Sequence, residues 1–117
     1  MPNDCWNHIT VTGNKTDIAK LMASEFNVIP NWCLQFIKKR DEGVIFKIWS
    51  PWKPDFLWLE SLIDKYPSCW VKNEWNEEGG LAGVWVGTAR EGVREIKQLD
   101  WRDMCLEEEH YIFGDGN

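Results

Sequence analysis

The chain has 117 residues, of which 44% are hydrophobic and 27% charged, a globular composition that excludes an intrinsically disordered protein. Its formal net charge of −6 argues against a long polyanion as partner, because nucleic-acid affinity rests largely on Lys and Arg neutralising phosphates. No apolar run approaches the roughly 20 residues that a membrane-spanning helix needs.

The opening MPNDCWNHIT has no basic region followed by an apolar stretch, so no signal peptide is predicted and a cytoplasmic location is expected. Cys5, Cys33, Cys69 and Cys105 form no CxxC pair; in a reducing compartment they read as buried thiols. Together with His8 or His110 they lack the spacing of a zinc site, so no metal is assigned.

Residues 5–12, CWNHITVT, alternate as a first strand, with Ile9 and Val11 on one side and Trp6, His8 and Thr10 on the other. Asn14 is the expected cap of a helix over 15–26 whose stripe is Ile18, Leu21, Met22 and Phe26. After Pro30-Asn31, residues 32–39 read as a second strand with Trp32, Leu34 and Phe36 on one side. The turn Asp41-Glu42-Gly43 leads into a third strand, 44–49, and the pair should form a hairpin.

The connector Ser50-Pro51-Trp52-Lys53-Pro54 is stiff, and Pro54 suits the first turn of a helix carrying Phe56, Leu59, Leu62, Ile63 and Tyr66. Residues 69–75 and 81–88 are a fourth and a fifth strand around an acidic Glu-Glu-Gly-Gly turn, read as a solvated hairpin rather than a cation site. Gly83 and Gly87 point to a bulge or to a close approach of something to that strand's backbone. Residues 93–99 read as a strand rather than a helix start, and Asp100 as the cap of a short helix over about 101–110.

This order, β-α-β-β-α-β plus a further hairpin strand and a C-terminal extension, predicts an α+β, ferredoxin-like antiparallel sheet. The expected organisation is one domain over 1–117, with a core at 4–90 and an extension at 93–117. Both helices should pack on one sheet face, leaving the other open or covered by the extension.

The same segments carry a family resemblance. MPNDCWNHITVTG resembles the MPNWC-x-N-x-L-T-V-x-G start of the YubB ferredoxin-like family of phage and plasmid proteins. FKIWSPWKPDFLWLESLIDKYP resembles that family's strand, Trp-Ser-Pro element and helix, and NEWNEEGGLAGVWV its Glu-x-Gly-x-x-x-Gly hairpin. Asp4 stands where the pattern has Trp, and residues 93–117 are not covered. The resemblance implies the fold and a mobile-element origin, hence the host cytosol; it implies no activity.

Nine tryptophans are spread along the chain, and tryptophan is the residue most enriched at binding hot spots. Trp6, His8, Lys47 and Trp49 fall on the two central strands of the expected open face, where aromatics can stack on bases and cations hold a phosphate. Ser50, Trp52 and Lys53 of the connector complete the expected ligand-binding set. The competing reading is a face covered by the extension, which would make these aromatics core, and a connector that is only a helix entry capped by Ser50.

No nucleophile elbow, HExxH or phosphate loop is present, so no catalytic residue or cofactor is assigned. The expected function is a small phage-encoded, non-enzymatic binding module that counters host defence by sequestering a nucleotide-type signal or masking a host protein. The alternatives are a single-stranded nucleic-acid binder using the aromatic face and a small hydrolase acting through His8. Homo-oligomerisation through edge strands and exposed tryptophans stays open.

Overall fold

Alternation along CWNHITVT becomes strand β1, Asp4–Thr12, with Cys5, Asn7, Ile9 and Val11 buried and Trp6, His8 and Thr10 turned to the other side. A computed structural model describes residues 2–102. Asn14 caps α1, Lys15–Ser24, accepting from the Asp17 N–H at 2.8 Å. The helix is shorter than the expected 15–26. Ser24 donates back to the Lys20 carbonyl at 2.6 Å, a bond that competes with continued helix, and Phe26 leaves the helix to pack edge-on against Phe36 and Phe46.

The second strand starts later than expected. Cys33 N–H bonds the Pro30 carbonyl at 3.0 Å and draws Asn31–Cys33 into a 3-10 turn, so β2 runs Leu34–Arg40. Trp32 therefore does not share the core side with Leu34 and Phe36; it is 69% exposed. β3, Gly43–Pro51, pairs antiparallel with β2, and a register shift leaves Ile37 bulged between Phe36 and Lys38.

Asp55, not Ser50, caps α2, Phe56–Lys65, accepting from the Trp58 N–H at 3.1 Å, and Pro54 precedes the cap. The hairpin of β4, Trp70–Glu77, and β5, Leu81–Thr88, follows. β6, Glu95–Arg102, pairs along the whole of β5. This corrects the helix expected from about 101: Trp101 and Arg102 are strand, because the Ala82 and Leu81 backbone stands opposite them and continues the ladder. The rest of that expected helix lies outside the described residues, as does Cys105.

The architecture is α+β: two helices and a six-stranded antiparallel sheet in the order β2-β3-β1-β4-β5-β6. Ile18 and Leu21 of α1 and Leu59, Leu62 and Ile63 of α2 bury against Ile9, Val11, Val44, Phe46, Val71 and Trp85 on one face. Glu25, at the end of α1, ties the helices together: its carboxylate accepts from Tyr66 Oη at 2.7 Å and Trp58 Nε1 at 3.3 Å, with Lys65 Nζ at 3.5 Å. Among the described residues no helix is long and apolar enough to cross a membrane.

Gly83 and Gly87 do mark a close approach. A Cβ on Gly83 would lie 2.6 Å from Trp75 Cζ2, and one on Gly87 2.5 Å from Trp85 Cη2. The two indole rings lie directly on the β5 backbone.

The described thiols are packed as small apolar groups. Burial pushes Cys5 and Cys69 up to about 11, with the Glu77 and Asp17 carboxylates adding to the effect and hydrogen bonds with Ser50 and Ser68 opposing it. The folded values lie above the ordinary 9.0, so the stability they contribute is present below pH 9 and lost as pH rises towards 11. At pH 8 the native protein should leave Cys5 and Cys69 unalkylated by iodoacetamide, both reacting once urea unfolds the chain. Peptide mapping by mass spectrometry checks this, and rapid native labelling of either would contradict their burial.

Candidate functional site

On the face opposite the helices, strand register arranges side chains in rows across the sheet. Trp49, Trp6, Asn76, Ala82 and Trp101 are successive partners across β3, β1, β4, β5 and β6. Lys47, His8, Glu74, Val84 and Leu99 form the next row on the same face. Trp6 and Trp101 are each 45% exposed, and no described element packs over this face; the extension past Arg102, which the competing reading places over it, lies outside the described residues.

The tryptophan row is held in place from the edges. Trp49 Nε1 donates to Asp4 Oδ1 at 2.7 Å, which fixes the ring's one polar group. Trp32, freed from β2 by the 3-10 turn, brings its ring to 5.0 Å from that of Trp49. One end of the sheet thus gathers Trp6, Trp49 and Trp32, with Trp101 at the far side of the row.

Trp52 lies beside this end in a strained turn. Its φ is +68°, and the Lys53 N–H closes a three-residue ring onto the Pro51 carbonyl at 2.8 Å. The positive-φ form of the γ-turn is rare, and a bulky residue in it costs about 1–3 kcal/mol. A bond from Trp52 N–H to the Asn3 carbonyl at 2.9 Å holds the connector to the start of β1, and the Trp52 side chain stays exposed.

His8 and Lys47 face one another across β1 and β3, and His8 faces Glu74 across β1 and β4. His8 Nδ1 is buried without a hydrogen-bond partner among the described residues. Glu74 is held below the usual carboxylate range, first by the Lys72 ammonium bonded to it at 2.7 Å and then by the charges of Lys72 and His8. Lys47 stays exposed and outside the ion pairs of the described residues, so its charge is available on the face.

The expected site residues thus divide. Trp6, His8, Lys47 and Trp49 come together on the face opposite the helices and Trp52 stands beside them. Ser50 and Lys53 turn to the helix-bearing side, where with Trp49 they border a cavity of about 620 Å³. Ser50 donates to the Lys53 carbonyl at 2.8 Å rather than capping α2. At the acidic turn the carboxylates are already engaged: Glu77 accepts from Asn3 Nδ2 at 2.5 Å and the Gly79 N–H at 2.8 Å, and Glu78 from the Asp4 N–H at 3.0 Å.

Sequence reasoning missed Trp32 and Trp101 on the aromatic face and Asn7 and Asn73 on the other. The last two carried a signal: each is an amide in the apolar phase of its strand, between Cys5 and Ile9 or between Val71 and Trp75. Comparison of the chain with protein-family models, with characterised proteins and with solved structures gave no match.

Proposed function

We propose that this chain is a non-enzymatic binding module that takes a nucleotide-type ligand on the aromatic end of its open sheet face. The observation that carries the reading is the pairing of Trp6 with Trp49 and, one row below, of His8 with Lys47. The exposed indole of Trp6 and the half-buried indole of Trp49 beside it offer a stacking platform for a base, and base–aromatic stacking contributes about 1–3 kcal/mol per base. The ammonium of Lys47 lies one row from that platform and suits a phosphate. The net charge of −6 favours a small ligand over a long strand, since local donors can hold one phosphate group where the global field repels many.

The framework in this proposal is ferredoxin-like. The order β2-β3-β1-β4 with α1 and α2 as the two crossovers is that of a split βαβ unit, here extended by β5 and β6. The resemblance of residues 1–90 to phage and plasmid proteins supports a mobile-element origin, and with it a role in sequestering a host signal. A second reading, masking of a host protein, is favoured by the continuation of the apolar surface through Leu99 and Trp101 onto the edge strand β6.

A panel of cyclic and linear nucleotides tests the first reading. A bound base should quench tryptophan fluorescence and raise the melting temperature, by about 2.7 kcal/mol of stabilisation at a ligand concentration 100 times Kd. A panel in which no nucleotide does either would remove the sequestration reading and leave protein masking, to be sought by pull-down from host lysate.

A further inference from the structure

The cavity of about 620 Å³ on the helix-bearing side lies between the end of α1, the end of β3 and the start of α2. Its walls include Ile29, Ile48, Phe56 and Trp58, and its floor is the amide pair Asn7 and Asn73. That volume falls within the range of small-molecule sites, about 300–1,000 Å³, and the lining has their character: apolar walls with a few placed polar groups.

The direction of every bond in the floor is fixed. Asn7 Nδ2 donates to the Ile48 carbonyl at 3.0 Å and to Ser50 Oγ at 2.8 Å. Since the Ile48 carbonyl can only accept, the Asn7 amide must present Nδ2 there and Oδ1 towards Asn73. Asn73 Nδ2 donates to that oxygen at 2.9 Å. Turning the Asn73 amide over would set two carbonyl oxygens against each other. Asn73 Oδ1 is therefore left over, and it has no partner although the residue is 0% exposed. An unpaired buried acceptor costs about 1–3 kcal/mol.

The cavity lining also carries the carboxylates of Glu25 and Asp55 against the ammonium of Lys53, a balance that disfavours an anion. A nucleotide phosphate therefore suits the opposite face of the sheet and not this cavity. We propose that the cavity is a binding site for an uncharged, largely apolar small molecule that donates an N–H or O–H to Asn73 Oδ1. The two sites lie on opposite faces of the sheet and share only Trp49 at their margin, whereas Trp6 belongs to the aromatic face alone.

Indole and 1-methylindole form a matched pair of probes, of nearly equal shape, of which only indole has a donor. Titrated into the ¹⁵N-labelled full chain, indole should shift the Asn73 side-chain amide and the Trp58 indole N–H saturably, with 1-methylindole bound at least about tenfold more weakly, a difference of about 1.4 kcal/mol. Asn73→Leu removes that acceptor but frees Asn7 Oδ1, so it is the double substitution Asn7→Leu with Asn73→Leu that should bring the two probes to equal affinity. Trp6→Ala should leave both titrations unchanged, whatever its effect on nucleotide binding. Equal dissociation constants on the wild-type chain, or no saturable shift with either probe, would overturn the proposal. That comparison needs no variant, so it decides the matter even where the double substitution does not fold.

Discussion

Trp85→Ala is expected to destabilise the chain by about 3–5 kcal/mol, the range for removing a large aromatic from a core. The upper part of that range applies for a local reason. Trp85 is 1% exposed and its ring rests on Gly87, so no neighbouring side chain on that strand can collapse into the space. Against the about 5–15 kcal/mol of an ordinary domain this is a large fraction, and Tm should fall by roughly 10–25 °C in a thermal melt followed by circular dichroism.

The same contact predicts a reversal of sign. Gly87→Ala alone sets a Cβ 2.5 Å from Trp85 Cη2 and 3.0 Å from Cζ3, so the ring must move and the substitution should cost about 1–3 kcal/mol. In the Trp85→Ala background the ring is gone, and the added methyl group fills part of the void. There Gly87→Ala should be neutral or stabilising. A double-mutant cycle measures this coupling, and an equal loss in both backgrounds would mean that the ring does not rest on that backbone.

This pair also shows what could be read in the sequence. Two glycines in a strand announce that something approaches the backbone, because no other residue leaves room; which ring approaches depends on pairing. Trp75 reaches Gly83 only because β4 and β5 pair in that register. The alternation of β1 and β3 was legible for the same kind of reason: period two is a local property, and it placed Trp6, His8, Lys47 and Trp49 on one face.

Trp32 was not legible, since its place depends on whether the backbone after Pro30 extends or turns, and one carbonyl bond to Cys33 decides that. The continuation of β6 through Trp101 was hidden likewise. Asp100 is a good helix cap in isolation, but the unpaired edge of β5 offers a ladder that local propensity does not see. The cavity floor was half legible: Asn7 and Asn73 stand in apolar phase, while their mutual bond needs β1 and β4 as neighbours.

The double substitution Trp6→Ala with Trp49→Ala carries the largest expected functional effect. At about 1–3 kcal/mol per stacked base, loss of both rings should weaken binding of a nucleotide by one to several factors of about ten, read as Kd by calorimetry. The cost to the fold should be small by comparison with Trp85, because Trp6 is half exposed and Trp49 gives up a surface bond to Asp4 rather than core packing. Trp70→Ala is the matched control. Trp70 lies on the same face but in the row of Thr12 and Thr88, three rows from Trp6, under the Lys72 ammonium at 5.9 Å. Its removal changes the aromatic content of the face without touching the platform, so Kd should hold. Lys47→Ala should weaken binding less at high salt than at low, as expected of a phosphate contact screened by ions. If the double variant keeps the wild-type Kd while Trp70→Ala loses it, the ligand sits at the other end of the sheet, and the contribution of Lys47 must be reassigned to Lys72, whose ammonium is already paired with Glu74.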